Sequence, residues 1–492
     1  MAVANARSLL LAFAACCIPA VASSNPTAFH VYEVSVDAAL TQLSVRACFA
    51  DGLPDQLRAD HTIAARATTE MRLKLNGRPV SFAPRGNVAN FRRPSDDGCI
   101  EWDTDLDEIA GLDRMTSGYR AGESLLLDPR SWLWRPWRMS ANRDIEIRFT
   151  LPPGVSVSVP WQAVDGAHPA SRFRFGQGPF DWPALMAIGR LQHDRIDVPG
   201  ATLRLSMVDG PAKGNLDTAA RWLKPAGLAV ASLDGRFPRR TPQVLVVPLD
   251  GGRDAAPWAQ VNRGGGAAAH FFMNSRADWS VFADDWIAAH ELAHMSLPFV
   301  RRSDAWLSEG FASYYQNILR ARIGLLGERQ AWQKLHDGFR RGEKNTAGGT
   351  LREVTRSRQQ RAWMMRIYWT GAAIALLADV ELRERTNGEW SLDKVIAGLQ
   401  ECCLDEPRAW TARELFAEFD RLSNTDVFAT LHEQTVHSRH FPAVRDLYER
   451  LGIRVDDQDR ITLDDSAGLA RLRQQIVTAP ETKEAALSAA SE

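Results

Sequence analysis

The chain has 492 residues, which is too long for one compact hydrophobic core, so two or three domains are expected. Hydrophobic residues make up 45% of the chain and charged residues 24%, the usual balance of a folded soluble protein. The 59 Lys and Arg residues nearly cancel the 60 Asp and Glu residues, so no general basic field is implied and we expect no nucleic-acid partner.

Residues 1–22 have the pattern of an export signal. Arg7 supplies the positive start, residues 9–15 the apolar run and Ala20-Val21-Ala22 a cleavage site of small residues. The apolar run is too short to span a bilayer, and no later stretch is suited to it, so no stable membrane span is expected. We therefore expect an exported protein, periplasmic or extracellular. A lipid anchor at Cys16 is the minority alternative, because Phe13 fits a lipoprotein signal poorly.

Residues 23–190 are predicted to form an N-terminal β-sandwich domain. Short stretches there alternate between apolar and polar residues and are separated by turn residues, which is typical of half-buried strands. The clearest alternating stretches are 29–36, 71–75, 144–149 and 155–159, and Asn76-Gly77 predicts a turn after the second. Three tryptophans also lie in this region: Trp132, Trp134 and Trp137. Core or sheet packing is the favoured interpretation for them, and sugar binding is the alternative.

Cleavage after Ala22 leaves two pairs of cysteines. Cys48 and Cys99 both lie in the N-terminal region and can form a disulfide in an oxidising compartment, although the sequence alone does not prove the pairing. Cys402 and Cys403 are adjacent, which suits neither a C-x-x-C metal site nor an easy mutual bridge. We expect this second pair to be packing residues or free thiols.

The remaining chain predicts a mixed region that becomes helical. Residues 201–207 and 244–247 have the composition of strands, and residues 216–223 between them have that of a helix. From Trp279 onward helical periodicity dominates. We expect a helical part over 401–475, and a disordered tail over 476–492 because those last residues are small and polar. The fold class is therefore multidomain α+β, with a β-sandwich followed by a mixed α/β to mainly helical region.

His290, Glu291 and His294 form the pattern H-E-x-x-H. Residues four apart on a helix share a face, so both imidazole rings can present a nitrogen to one zinc ion. Glu291 projects about 100° around the helix, where its carboxylate can reach a metal-bound water without becoming a ligand. The pattern fixes only three positions, so an accidental match is the alternative.

A second helix after this motif supplies a candidate third ligand, Glu309. Pro298 is expected to end the first helix, and Ser303 or Asp304 is suited to cap the second. An apolar stripe at helical spacing forms the core face of that second helix: Leu307, Phe311, Tyr314 and Ile318. Glu309 lies off the stripe. In an antiparallel hairpin, a climb of about 6 Å after His294 and a descent of about 7.5 Å bring Glu309 level with it.

The segment 306–314, WLSEGFASY, resembles the second zinc segment of the gluzincin peptidases, in which His, His and Glu hold zinc. Tyr368-Trp369-Thr370-Gly371, and then residues 375–379, 383–388 and 391–393, resemble the glycyl aminopeptidase family in particular. The likeness covers roughly residues 190–453 by motif, and the N-terminal β region adds an architectural match. It implies a thermolysin-like catalytic domain over 191–400. After Gly452-Ile453 only about forty residues remain, so the C-terminal PDZ module of many family members is not expected.

The resemblance assigns roles to five residues. It implies that His290, His294 and Glu309 hold one Zn²⁺ per chain and that Glu291 is the general base. Zinc bound by three protein groups keeps a position for water and lowers the pKa of that water toward 7. Tyr368 stands at the family's Tyr-x-x-Gly tyrosine and is the implied donor to the developing oxyanion, with a core tyrosine as the alternative. The implied activity is aminopeptidase-like hydrolysis of a peptide or protein substrate.

The segment that binds the substrate amine departs from the family pattern. Gly266 and His270 match it, but Ala269 stands where the family has a glutamate that grips the free α-amine. Alanine cannot bind an ammonium ion. We expect this segment to be the edge strand that pairs with an extended substrate, with His270 either lining the cleft or structural. An endopeptidase or a peptidase of altered specificity is therefore one alternative, and a non-catalytic envelope peptide-binding protein is another.

Overall fold

The computed structural model describes residues 29–480, except for residues 69, 92–96, 138–142, 177, 180–181, 211 and 346–347. The predicted signal peptide, the candidate anchor Cys16 and residues 481–492 of the predicted tail lie outside the described residues. Within the described ranges, no helix combines the length and the apolar character needed to cross a membrane.

The strands, in chain order, are β1 (His30–Val36), β2 (Gln42–Cys48), β3 (Gln56–Arg58), β4 (Met71–Leu75), β5 (Arg78–Phe82), β6 (Val88–Asn90), β7 (Cys99–Asp105), β8 (Gly118–Ala121), β9 (Ser124–Leu127), β10 (Arg135–Pro136), β11 (Ile145–Thr150), β12 (Ser156–Ser158), β13 (Gln162–Ala163), β14 (Arg172–Phe175), β15 (Met186–Gly189), β16 (Leu191–Val198), β17 (Ala201–Val208), β18 (Gln243–Leu249), β19 (Trp258–Asn262), β20 (Ala268–Asn274), β21 (Ile453–Val455) and β22 (Ile461–Leu463).

The α-helices are α1 (Ala64–Ala67), α2 (Leu106–Ala110), α3 (Leu216–Ala231), α4 (Trp279–Ala283), α5 (Ile287–Ala293), α6 (Ala305–Arg322), α7 (Glu328–Lys344), α8 (Leu351–Arg356), α9 (Met364–Arg385), α10 (Leu392–Cys402), α11 (Ala412–Ser423), α12 (Val427–Val436), α13 (Arg445–Leu451) and α14 (Ala470–Val477). Short 3₁₀ helices cover Pro129–Ser131, His294–Ser296, Arg302–Asp304 and Gln360–Trp363.

The N-terminal region is β-rich, as predicted. Its strands form an eight-stranded sheet in the order β13-β14-β11-β1-β2-β7-β4-β5, a three-stranded sheet β10-β3-β6 and a four-stranded sheet β12-β15-β9-β8. Buried side chains from all three sheets form one hydrophobic core. A simple two-sheet sandwich is therefore too coarse a description, because alternation identifies a strand but not the strands it pairs with.

Local features of this region follow their sequence signals. Asn76 and Gly77 have φ values of 52° and 71° and form the two-residue turn between β4 and β5, a geometry that suits the twist of a hairpin. Trp132 and Trp134 are completely buried, which confirms core packing for them. Trp137 is 43% exposed, and the guanidinium of Arg58 lies 4.5 Å from the centre of its ring.

Both cysteine pairs are disulfides. Cys48 and Cys99 face each other on the neighbouring strands β2 and β7 and are bonded. Cys402 and Cys403 are also bonded to each other, so the expectation of packing residues or free thiols is wrong. Helix α10 ends at Cys402, and Cys403 leaves the helical conformation with a φ of −131°. The sequence pattern predicts a helix here but does not show that the backbone changes direction directly after Cys402.

A five-stranded sheet in the order β16-β17-β18-β20-β19 follows the N-terminal region. Strands β17, β18 and β20 are parallel, whereas β19 runs antiparallel to β20 and forms the edge. The predicted strands at 201–207 and 244–247 lie in β17 and β18, and the predicted helix at 216–223 is the first half of α3.

The C-terminal region is mainly helical and is built around α6, which is buried along most of its length and packs against α5, α7 and α9. The β21–β22 hairpin interrupts the helices expected over 401–475. Helix α14 continues to Val477, so the expected start of the disordered tail at 476 is too early. Ile476 and Val477 are buried in the core, and that burial holds them in the helix.

Candidate active site

Helix α5 carries His290 and Glu291 into the protein interior. Its first turn is capped by Asp285, whose carboxylate accepts a hydrogen bond from the Ala288 N–H at 2.9 Å. The α-helix stops at Ala293 and continues as a 3₁₀ turn over His294–Ser296, so it is shorter than the expected helix ending at Pro298. The reason is the residue before the proline: Leu297 is extended, as steric contact with a following proline favours.

Helix α6 begins after Asp304, one of the two predicted capping residues. Asp304 makes no capping hydrogen bond and instead accepts from the Ala412 N–H at 3.4 Å. The predicted apolar stripe is buried: Leu307, Phe311, Tyr314 and Ile318. Glu309 lies off that stripe, and its side chain keeps 26% exposure.

The short hairpin brings the three predicted ligands together. The Nε2 atoms of His290 and His294 lie 3.3 Å and 3.5 Å from the same oxygen of Glu309, Oε2. The ligand atoms of these three residues all lie within 4.8 Å of one another. Two imidazole nitrogens and one carboxylate oxygen are the donor set of many catalytic zinc sites. The residues present therefore fit a zinc ion.

Two neighbouring side chains orient the imidazole rings. The His290 Nδ1 atom lies 2.9 Å from Gln316 Oε1, and the His294 Nδ1 atom lies 3.0 Å from Ser308 Oγ. An amide oxygen only accepts, so Gln316 holds the His290 proton on Nδ1 and leaves the Nε2 lone pair toward the ligand point. Neither residue was predicted from the sequence. The available signal was spacing, because Gln316 lies two helical turns after Glu309 on the same face.

Electrostatics favour positive charge at the ligand point. Burial alone would lower the pKa of His290, but the hydrogen bond and charge of Glu309 raise it above its ordinary value. Burial alone would raise the pKa of Glu309, but the two histidines hold it well below its usual range. A buried carboxylate stays ionised only where cationic groups or ions compensate for its desolvation.

Glu291 and Tyr368 border the same space without sharing the ligand point. Burial raises the pKa of the Glu291 carboxyl above its ordinary value. The Tyr368 ring stacks on the His290 ring, with the centroids 5.9 Å apart and the planes 13° from parallel. Burial, and then the nearby Glu309 carboxylate, raise the pKa of the Tyr368 phenol. The phenol is therefore a hydrogen-bond donor at all ordinary pH values.

Two glycines bring Tyr368 to the metal ligands. Helices α6 and α9 cross where Gly310 meets Gly371, and a Cβ atom on Gly371 would lie 1.9 Å from the Trp306 carbonyl oxygen. Only glycine at both positions allows this approach of the two backbones. Because Glu309 precedes Gly310 and Tyr368 lies one turn before Gly371, the crossing places the phenol beside the carboxylate.

A cleft runs past these residues along the edge strand β19. Its two parts have volumes of about 370 Å³ and 920 Å³. Both parts are lined by Trp258, Ala259, Glu291 and Tyr368, which therefore mark where they meet. The candidate active site thus lies between the two parts of the cleft rather than at one end of it.

Gly266, Ala269 and His270 do not line this cleft, which corrects the expectation from the sequence. Ala269 and His270 are fully buried on β20, which lies between β18 and β19 and is not the edge strand. His270 lies 3.3 Å from Gln243 Oε1, and its burial lowers its pKa to about 3. Gly266 lines a separate cavity, and a Cβ atom there would lie 2.0 Å from the Pro160 carbonyl oxygen.

The edge position belongs to β19, and Arg263 directly after it was also missed. One guanidinium nitrogen of Arg263, Nη2, donates to the carbonyl oxygens of His294 at 2.6 Å and Leu297 at 3.3 Å. These two carbonyls lie in the turn after α5. Arg263 therefore holds the end of the edge strand against the turn that begins with His294, a predicted metal ligand.

Comparisons with known proteins agree with this geometry. The sequence profile described as M61 glycyl aminopeptidase matches residues 298–374, which include Glu309 and Tyr368. No curated protein matches the chain. Among solved structures, an aminopeptidase N family protein from Idiomarina loihiensis is 14% identical with a TM-score of 0.62, over 89% of this chain and 82% of that one.

Two further solved structures share the fold. An M1 zinc metallopeptidase from Deinococcus radiodurans is 16% identical with a TM-score of 0.50, over 84% of this chain and 94% of its own. Native yeast LTA4 hydrolase is 13% identical with a TM-score of 0.50, over 84% of this chain and 68% of its own. The chain thus has a multidomain α+β fold similar to those of the M1 metallopeptidases. The predicted resemblance to the glycyl aminopeptidase family is confirmed over residues 298–374, which supports a peptidase.

Proposed function

We propose that this protein is an exported zinc metallopeptidase with a thermolysin-like catalytic domain that hydrolyses peptide bonds. The observation that carries the proposal is the convergence of His290, His294 and Glu309 on one point beside Glu291 and Tyr368, in a cleft at a sheet edge. Zinc, when bound by the three ligands, supplies a Lewis acid and lowers the pKa of a water toward neutrality.

Glu291 moves the proton in this proposal. Its carboxylate takes a proton from the attacking water as the oxygen bonds to the peptide carbonyl carbon, and gives that proton to the amine nitrogen when the C–N bond breaks. The raised pKa of this buried group suits both transfers, because it brings the carboxyl nearer to neutral pH. The Glu291 carboxylate is therefore ionised again at the end of the reaction.

Tyr368 and β19 act on the substrate directly. The Tyr368 hydroxyl donates a hydrogen bond to the peptide carbonyl oxygen, which gains negative charge during attack. The free backbone groups of β19 pair with an extended peptide and hold the scissile bond beside Glu291. Trp258 and Ala259, which line both parts of the cleft, lie at this junction.

Two modes of cleavage follow from different observations. The family resemblance favours removal of N-terminal residues, because the matching profile is that of an aminopeptidase. The cleft favours an endopeptidase, because it continues on both sides of the junction and a longer peptide can pass through it. Matched peptides with free and acetylated N-termini separate the two modes by their relative kcat/KM.

Glu291→Gln tests the proposed activity. We expect this variant to retain zinc and to lose peptide cleavage by a factor of about 10³, within the usual range for removal of a general acid–base group. Metal analysis and hydrolysis of a fluorogenic peptide measure the two properties. Glu433→Gln, an exposed residue on α12, is the matched control and should cleave at the parental rate. A zinc-loaded Glu291→Gln protein that cleaves as fast as the parent would refute the assignment.

If the protein is instead a non-catalytic envelope peptide-binding protein, we expect no peptide cleavage by the parent protein. Such a protein would bind peptides in the cleft but would not hydrolyse them, with or without zinc. Export has its own test, since N-terminal sequencing of the mature protein from its native host should begin after Ala22.

A further inference from the structure

The smaller part of the cleft is lined by positive side chains that have no acidic partner among the described residues. We call it the arginine subsite; its wall includes Arg263 and Arg302, together with Gln260 of β19 and Ser308 of α6. The carboxylates in its lining are Glu291 and Glu309, which belong to the catalytic site. Once these two are assigned to the proposed zinc chemistry, the subsite has an excess of positive charge.

Arg263 is partly buried and lies beside the proposed reaction centre. Its guanidinium is cationic at neutral pH, as arginine is throughout the ordinary pH range. It is held by two carbonyl oxygens, its Nε atom has no hydrogen-bond partner, and among the described residues no carboxylate forms a salt bridge with it. A partly desolvated charge without a counter-charge is unfavourable, so an anion supplied by the substrate would be stabilised there.

Arg302 extends the same charge to the rim of the cleft. It is exposed, and its Nε atom donates to Gln360 Oε1 at 3.3 Å. Among the described residues, no carboxylate lies within salt-bridge distance of Arg302. The two arginines line the same part of the cleft.

Strand direction tells which side of the scissile bond this subsite receives. Strand β19 runs from Trp258 to Asn262, and Arg263 follows its end. A peptide paired antiparallel to β19, the slightly more stable arrangement, has its N-terminal half beside Arg263. The larger part of the cleft, beyond Trp258, would then hold the C-terminal half.

The larger part of the cleft has mixed charge. Its wall contains two aspartates apart from the catalytic site, Asp254 and Asp337, and three basic residues: Lys334, Arg341 and Arg361. Opposite charges of this kind give little net discrimination by substrate charge. An excess of positive charge without acidic side chains other than Glu291 and Glu309 is therefore a feature of the arginine subsite and not of the larger part of the cleft.

Resting on the proposed peptidase function, we propose that the arginine subsite selects a carboxylate: the protein cleaves peptide bonds that follow an acidic residue and disfavours a free ammonium at that position. This acidic residue would lie between Arg263 and Arg302, one residue before the scissile bond. The free α-amine of an aminopeptidase substrate has no carboxylate to bind in this subsite other than the two catalytic ones.

The experiment uses N-acetylated peptides that differ only in the residue before the scissile bond, which is Glu, Gln or Lys. We expect kcat/KM to fall from Glu to Gln to Lys, with a Glu-to-Lys ratio of about tenfold or more, as charge complementarity in a partly buried site gives. A second set varies the residue after the scissile bond and should show less than about a threefold range.

Arg302→Glu is the informative variant, because Arg263 also holds the turn after α5 and its loss would disturb the fold. Arg302→Glu should reduce the Glu-to-Lys ratio about tenfold or more, since it replaces attraction by repulsion. Arg301→Glu is the matched control, because Arg301 is also exposed and does not line the cleft, and its substitution changes the net charge by the same amount. Its ratio should stay within about twofold of the parent.

The outcomes separate this inference from the proposed function. If the zinc-loaded parent cleaves none of the peptides, the proposed function fails and the inference with it. If peptides are cleaved with a preference for Lys, for a free N-terminal amine or for an acidic residue only after the scissile bond, the inference alone is overturned. Calorimetric binding of the same panel to zinc-loaded Glu291→Gln gives a second readout, in which the acetylated Glu peptide should bind most tightly.

Discussion

The imidazole of His290 depends on one amide for its orientation. Gln316 accepts from Nδ1 at 2.9 Å, and the ring nitrogen on the other side faces Glu309. The same helix, α6, carries both Gln316 and Glu309, so a single rigid element supplies a ligand and the orientation of another ligand. This arrangement makes the zinc affinity sensitive to a residue that does not itself bind metal.

Gln316→Ala should therefore weaken zinc binding by about 10- to 100-fold without removing a ligand. Gln316→Glu keeps an oxygen acceptor and should restore most of the affinity. Competition with a chromogenic chelator measures the zinc Kd. The control is Gln475→Ala on the exposed face of α14, which should leave the Kd unchanged. An unchanged Kd in Gln316→Ala would show that the 3₁₀ turn and α6 orient His290 without the amide.

Tyr368→Phe tests the proposed oxyanion donor. The loss of one hydroxyl should lower kcat by about 10²- to 10³-fold, as the loss of a single oxyanion donor does, while KM and zinc content stay close to parental values. Steady-state kinetics with one peptide separate these quantities. Tyr448→Phe is a matched control, because the Tyr448 hydroxyl is buried and has no hydrogen-bond partner in the part of the chain that the structure describes. A kcat within about twofold of the parent for Tyr368→Phe would leave Tyr368 as a packing residue.

At the scale of elements, the packing of α6 against α9 fixes the relative positions of Glu309 and Tyr368, two residues of the proposed site. Besides the glycine crossing, Tyr314 of α6 donates to Asp379 of α9 at 2.9 Å, and Asp379 also accepts from Arg383 at 3.0 Å. Arg322 of α6 pairs with Asp393 of α10 at 2.9 Å. Both aspartates belong to the downstream segments that resemble the glycyl aminopeptidase family. The structure therefore gives those segments a packing role behind the site.

Gly371→Ala should separate α6 from α9 and disturb the site. The added methyl group meets backbone atoms rather than a movable side chain, so we expect destabilisation of about 3 kcal/mol or more and a large loss of activity. Urea unfolding and zinc content measure the effect. Gly468→Ala is the control, because a Cβ atom there has no neighbour within 4 Å. Wild-type stability and activity in Gly371→Ala would contradict the close crossing.

At the scale of the whole molecule, the β-rich region and the five-stranded sheet share a hydrophobic interface. Leu126 of β9 and Ala187 of β15 pack with Leu245, Val247 and Phe272 of β18 and β20. Arg204 of β17 adds polar contacts by donating to the Trp161 carbonyl oxygen at 2.9 Å. The sheet that carries the cleft is thus buried on one face by the N-terminal region.

Leu126→Ala should destabilise both regions together, because its side chain belongs to the shared interface. Truncation of a fully buried leucine costs about 2–5 kcal/mol. Tryptophan fluorescence and zinc release during urea unfolding should shift to lower denaturant by the same amount. Leu228→Ala, at a leucine that is 36% exposed on α3, should cost under about 1.5 kcal/mol. Zinc release at the parental midpoint would show that the two regions unfold independently.

The sequence predicted the residues of the candidate metal site more accurately than it predicted the residues that line the cleft. His290, Glu291, His294 and Glu309 lie within one short helix–turn–helix, so local periodicity and the positions of Pro298 and Asp304 were enough to predict that they meet. The helix end was wrong by about one turn, but the two ligands still came level because the 3₁₀ turn keeps His294 on the same side. Tyr368 was reached through family resemblance, since nothing local connects it with α6.

What the sequence by itself determined is that His290, His294 and Glu309 come together beside Glu291, and that a β-rich region precedes a helical one, because these features depend on local periodicity and on residues close together in the chain. Only the tertiary structure decided that β19 rather than β20 forms the edge, that Gln316 orients His290, that Cys402 bonds to Cys403, and that Arg263 and Arg302 share one subsite. Each of these depends on strand order, on a helix end or on residues brought together by a helix crossing. The periodicity of a sequence identifies a helix or strand, but it does not show which other elements pack against it in the folded protein.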